Sequence, residues 1–307
     1  SPQSPPDHGP ASGLEPNELG QVPILMYHHF GHEEDTWTRS YEGFAKDLSY
    51  LYHNGYRPIT LSSYISGDID LPEGMTPVVL TFDDGLSSQL RWVDDVVGDL
   101  DPESALAVML EFAESSPGFE ARGIFYVNSP RPFSPLSGDD IPATLSWLVR
   151  RGFELGNHTH NHVNLAKLGT TAEIQQAIGT THRFLSDATG DFQTSSLSLP
   201  YGVWPKQTEA VYRGEFEGTE YRYESVVLVG AEPAPSPHSV EFRPLETPRI
   251  RASGDQWDLW FGEFEDNPSR RYVSDGDPDT ITVPASLAGE LDEESVAEDR
   301  RVIYLDE

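Results

Sequence analysis

The stretch Pro77-Val78-Val79-Leu80-Thr81-Phe82-Asp83-Asp84-Gly85 decides the fold. Its first six residues form a short apolar run, which reads as a buried strand, and Asp-Asp-Gly stops it abruptly. Strand and helix signals alternate on either side. Upstream, Val22 to Tyr27 is a second buried run, and Ser40 to Asn54 places Tyr41, Phe44, Leu48, Leu51 and Tyr52 at helical spacing. Ser40 is the N-cap of that helix and Gly55 its stop. Downstream, strands are predicted over Arg122–Val127, Phe153–Gly156, Ser196–Leu199 and Ser225–Val229, and helices over Ile141–Arg151 and Thr171–Thr189. Repeated βα units predict an α/β protein with a largely parallel sheet or barrel.

Composition narrows the classes. A chain of 307 residues fits two average domains or one α/β barrel. The absence of cysteine excludes disulfides, Cys-ligated zinc, iron–sulfur clusters and thiol catalysis. With 51 acidic against 20 basic side chains, the net charge is −31. That balance offers nothing to neutralise phosphates, so no nucleic-acid partner is expected, and it disfavours an anionic membrane surface. No apolar run approaches the roughly 18–20 residues of a membrane span. Residues 1–20 are rich in Pro, Ser and Gly and predict a disordered tether ahead of one domain over 21–307. The chain starts without Met, which fits a removed signal peptide. The Pro-rich segment Gly230–Pro248 reads as a surface loop, and residues 292–299 as a solvated charged face.

Two clusters carry chemistry. Asp83 and Asp84 stand at the C-terminal end of a strand, where parallel α/β folds collect catalytic groups. One carboxylate can ligate a metal while the other works as a base, and Gly85 allows a tight turn. A plain turn with a helix N-cap is the bland alternative. The second cluster, Asn157-His158-Thr159-His160-Asn161-His162, holds three of the ten histidines. Imidazole is the commonest metal ligand, and His158 and His162, at i and i+4, are expected to share one helical face. Two His with one carboxylate leave coordination positions open, as a catalytic metal site requires. The alternative is a solvated polar loop, or His160 and His162 as helix-capping residues.

Together these motifs resemble the first two motifs of the NodB-homology polysaccharide deacetylases, carbohydrate esterase family 4. Ile124-Phe125-Tyr126-Val127, Glu154-Leu155-Gly156-Asn157, Leu199-Pro200-Tyr201-Gly202 and Pro248-Arg249-Ile250 resemble further family segments in the same order, so the likeness spans about Val22 to Ala252. It implies a distorted (β/α) barrel with a C-terminal extension from about residue 253. It implies one divalent metal, usually zinc with nickel, cobalt or manganese as substitutes, on Asp84, His158 and His162. It makes Asp83 the catalytic base and the Tyr201 backbone N–H an oxyanion donor. The implied protein is a secreted or cell-surface monomer that acts on a polysaccharide.

Two positions depart from the family pattern. Ser198 stands where an Arg usually braces the base, which leaves Arg249 as the substitute. The late Leu-His motif that supplies the acid has no counterpart. Met26-Tyr27-His28-His29-Phe30 resembles instead the opening of the poly-β-1,6-N-acetylglucosamine deacetylases, which makes His28 the candidate acid, with His29 and His238 as alternatives. The expected reaction is removal of N-acetyl groups from an N-acetylglucosamine polymer. An O-acetyl, xylan-type esterase and a catalytically silent glycan-binding module are the competing readings. Trp204, Trp257, Trp260 and Phe261 are candidate sugar platforms, with core packing as the alternative for each.

Overall fold

The computed structural model describes residues 8, 9, 11–136, 138–190, 192–297 and 300–306. The chain runs β1 (Ile24–Tyr27), β2 (His29–Gly31), β3 (Thr38–Ser40), α1 (Tyr41–His53), β4 (Tyr56–Pro58), α2 (Leu61–Ser66), β5 (Thr76–Phe82), α3 (Ala105–Ser115), β6 (Ile124–Ser129), α4 (Asp140–Arg150) and β7 (Glu154–His160). It continues through α5 (Thr171–Thr189), β8 (Ser196–Ser198), α6 (Glu209–Tyr212), the hairpin β9 (Arg213–Phe216) and β10 (Thr219–Arg222), β11 (Ser225–Val227), β12 (Ile250–Arg251), α7 (Asp255–Asp266), β13 (Thr280–Pro284) and β14 (Arg301–Leu305).

Among the described residues, eight strands form one sheet in the order β11-β8-β7-β6-β5-β1-β12, with β4 beside β5. Its pairings are all parallel. Every residue of β5 is buried, as a strand covered on both faces demands. A parallel bridge from Val227 to Thr247 brings the lead into β12 back against β11. The sheet therefore curls into a distorted (β/α) barrel with flanking helices. One edge of it carries the ends of β1, β5, β7 and β8, each followed by a residue singled out in the sequence.

Helices form where caps and apolar spacing agree. Ser40 caps α1 by accepting from the Gly43 N–H, and Thr170 and Glu173 form a reciprocal capping box on α5. Phe44, Leu48 and Leu51 of α1 enter a core shared with Tyr27, Phe82, Phe125 and Phe153.

Four expectations need correction. Residues 1–7 and 10 of the expected tether lie outside the described residues, but its C-terminal part belongs to the fold. Asn17, Glu18 and Leu19 are buried, and Asn17 pairs with Val273. The segment after 253 is no appendage, because Trp257, Phe261 and Phe264 of α7 lie in the main core. The supposed surface loop 230–248 buries Ala234, Ser236 and His238, since Ala234 pairs with Val22. Finally, His158 sits on a strand and not on a helix, because β7 continues its pairing with β6 through this segment.

Candidate active site

Asp83 follows β5 directly and is fully buried. Arg249, just before β12 and equally buried, meets it with a bidentate fork. Its Nη1 lies 2.7 Å from Asp83 Oδ1 and its Nη2 2.7 Å from Oδ2. The same guanidinium donates to Thr81 Oγ1 and Ser198 Oγ, and Ser198 Oγ donates to Asp83 Oδ2 at 3.0 Å. Arg249 thus braces the carboxylate from across the barrel, and the small Ser198 makes room for it. Burial by itself would raise the Asp83 pKa. The guanidinium outweighs it and holds the group well below the usual carboxylate range.

Asp84 turns away from its neighbour because its backbone is left-handed, φ +77°, with Gly85 following at +60°. Its Oδ1 lies 3.4 Å from His158 Nε2 and 3.5 Å from His162 Nε2. The potential ligand atoms of Asp84, His158 and His162 all fall within 4.8 Å of one another. The two imidazoles meet by a route other than helical spacing. Thr159, Asn161 and His162 all adopt positive φ, so the chain doubles back as β7 ends. His160 is drawn elsewhere, to the Ser129 hydroxyl at 2.9 Å.

The three side chains fit a metal in one further respect. His158 Nδ1 lies 2.8 Å from the Ser198 carbonyl oxygen, which fixes it as the protonated nitrogen. Its Nε2 then points a lone pair toward Asp84 and His162, and that atom is buried without a hydrogen-bond partner. An orphaned buried acceptor among ligand-type groups is what a cation would satisfy. Without a cation, burial pulls the His158 pKa down, but the Asp84 and Asp83 carboxylates override it and raise it. His162 is lowered, first by burial and then by His158.

His28 stands just beyond β1 with Nε2 3.9 Å from Asp83 Oδ2. Burial lowers its pKa, against the pull of Asp83 and Asp84. Gln89, which the sequence reading passed over, donates from Nε2 to the backbone carbonyls of both His28 and Asp83. It pins the two strand ends together, and nothing in a lone glutamine signals this. The alternatives to His28 are not assembled with it. His29 is exposed, and His238 packs against Gly67 at the end of α2. Tyr201 lies at the mouth, 57% exposed, with φ +62° and its ring 4.8 Å from that of His162.

The suggested sugar platforms fare less well. Trp257 and Phe261 are core residues, and Trp260 packs under Arg270 while donating to the Ala231 carbonyl. Trp204 lines a separate open cleft of about 660 Å³ with Tyr212, Arg243 and Leu245. Trp37, not considered from sequence, lies edge-on to His28 with ring centroids 4.9 Å apart.

Residues 71–214 match the family model described as polysaccharide deacetylase. Among curated proteins, none matches the chain significantly in sequence. Several solved structures share the fold. The deacetylase PplD of Streptococcus pyogenes, solved with acetate, is 17% identical with a TM-score of 0.56, over 78% of this chain and 96% of that one. IcaB of Ammonifex degensii is 19% identical with a TM-score of 0.52, over 78% and 94%. The de-N-acetylase of Aggregatibacter actinomycetemcomitans is 14% identical with a TM-score of 0.50, over 76% and 97%. No helix among the described residues is long and apolar enough to cross a membrane. With the Asp-Asp pair at a strand end and the following His cluster both inside the matched segment, the chain carries a polysaccharide deacetylase domain of the NodB-homology type over residues 71–214.

Proposed function

We propose that the protein is a metal-dependent hydrolase that removes N-acetyl groups from an extracellular polysaccharide containing N-acetylglucosamine. The observation that carries this reading is the pairing of a buried, Arg-braced carboxylate with an adjacent Asp/His/His group whose His158 Nε2 lacks a partner. Asp84, His158 and His162 would hold one divalent cation, zinc or a similar metal. Such a cation polarises an acetyl carbonyl and lowers the pKa of water.

The remaining work falls to the chain. Asp83 accepts the proton of the attacking water, and Arg249 keeps it ionised and aimed. The Tyr201 N–H donates to the oxygen on which negative charge develops. His28 returns a proton to the departing nitrogen, so that acetate and a free amine leave. An amine is a poor leaving group unless protonated, and the place of His28 beside Asp83 favours amide over ester cleavage for that reason.

The test is acetate release from an N-acetylglucosamine oligomer and from acetylated xylan, each before and after chelation. Release from the first, lost on chelation and restored by Zn²⁺, is the expected result. Release from xylan alone would make the protein an esterase. Binding of the oligomer without any release would make it a silent module.

A further inference from the structure

We propose that Trp37 is a binding platform of the site, its open surface taking the apolar face of the pyranose whose acetyl group is cut. Trp37 ends the loop between β2 and β3, and the loop is fastened at several points. The His29 N–H donates to the Trp37 carbonyl, Asp35 pairs with Thr38, and Ser253 Oγ donates to the Thr36 carbonyl at 2.6 Å. Arg39, two residues on, is locked to buried Asp47, which also accepts from the Tyr27 hydroxyl at the end of β1. The indole is thereby tied to the strand that delivers His28.

The ring is held as firmly as its backbone. The Arg251 guanidinium lies over it at 5.4 Å and is itself fixed by the Ser253 carbonyl and Asp255. Even so, Trp37 stays 41% exposed, whereas Trp92 and Trp257 are buried in the core. Open indole surface held rigid beside catalytic groups loses little entropy on capturing a flat apolar ligand face.

A second exposed aromatic stands at the other end of the site. The contacts run Trp37–His28–Asp83–His158–Asp84–His162–Tyr201. Val203 and Val229, both exposed, extend the Tyr201 side, with Gly202 packed against Val229. The run of carboxylates and imidazoles thus has an exposed aromatic ring at each end, which suits a pyranose with polar edges and an apolar face. N-acetylated hexosamine is the ligand class.

This inference rests on the hydrolase reading, and the experiment separates the two. In metal-loaded enzyme, Trp37→Ala is expected to raise KM for an N-acetylglucosamine pentamer about tenfold. Turnover of a small aryl acetate, which has no sugar to place, should stay within about twofold, and Trp37→Phe should recover most of the loss. Pentamer binding by calorimetry in an Asp83→Asn background should weaken in parallel. Unchanged pentamer KM and affinity in Trp37→Ala would overturn the platform and leave the hydrolase standing. Equal loss on both substrates would also overturn it, since Trp37 would then only support the site. Pentamer binding that depends on Trp37, with no acetate released by the wild type, would keep the platform and sink the hydrolase.

Discussion

With two guanidinium nitrogens at 2.7 Å, Arg249 meets the Asp83 carboxylate in the geometry that Lys cannot reproduce. Removing one partner of a buried ion pair strands the other charge. Arg249→Met should therefore cost about 3–5 kcal/mol in denaturant unfolding, and Arg249→Lys should recover only part of the activity. A neutral cost would mean that the pair is not buried as described. The pH profile follows from the same residues. Asp83 is held low, so it remains ionised through the working range and sets no limb there. His158 and His162 must be neutral to bind a metal, so activity should fall as acid protonates them. As the proposed acid, His28 would have to be protonated, so activity should also fall as pH rises through its pKa, which burial lowers from the ordinary histidine value. His28→Ala should remove this alkaline limb and damage amide hydrolysis far more than aryl acetate hydrolysis. An unchanged profile would exclude His28 as the acid.

At the scale of elements, close backbone approach shapes the site. A Cβ on Gly230 would lie 1.7 Å from the Arg249 carbonyl oxygen, where β11 leads toward the barrel seam. Gly230→Ala should push the Arg249 segment away, costing about 1–3 kcal/mol in stability and lowering acetate release as well. Full activity in a folded Gly230→Ala protein would show that the brace tolerates movement. Here the limits of sequence reading are also plain. The strands, α1 and α5, and the Asp83-Asp84 pair were legible, because apolar runs, caps and a carboxylate pair at a strand end have local signatures. The residues proposed as ligands were legible too, but the reason they meet was not. The i, i+4 spacing of His158 and His162 suggested a helix, whereas three non-glycine residues with positive φ turn the chain, and such residues carry no reliable mark. Arg249 could be named because the Arg missing at Ser198 left a need to fill. Trp37 and Gln89 could not, since their contacts with His28 arise only from tertiary pairing.

For the whole molecule, two features outside the site govern stability. Helix α7 fills the core with Trp257, Phe261 and Phe264, so a chain ending at residue 253 should fail to fold cooperatively by circular dichroism. A folded truncation would restore the view of this segment as an extension. The second feature is Glu18, which accepts from the Tyr272 hydroxyl and the Thr282 N–H. Burial, with some help from Asp275, pushes its pKa up to about 7 against those hydrogen bonds. A folded-state pKa above the unfolded value means stability that is full below about pH 4.5 and fades as pH rises through about 7. The loss amounts to about 3 kcal/mol. Glu18→Gln should flatten that slope, and an unchanged slope would place its origin elsewhere. The central claim is a division of labour between adjacent carboxylates, Asp84 holding a metal and Asp83 moving a proton. Metal content by elemental analysis, measured beside acetate release on the Asp83→Asn protein, tests it most directly. The expected result is one metal per chain with release lowered about 10²–10⁴-fold. Wild-type release, or loss of the metal from Asp83→Asn, would contradict it.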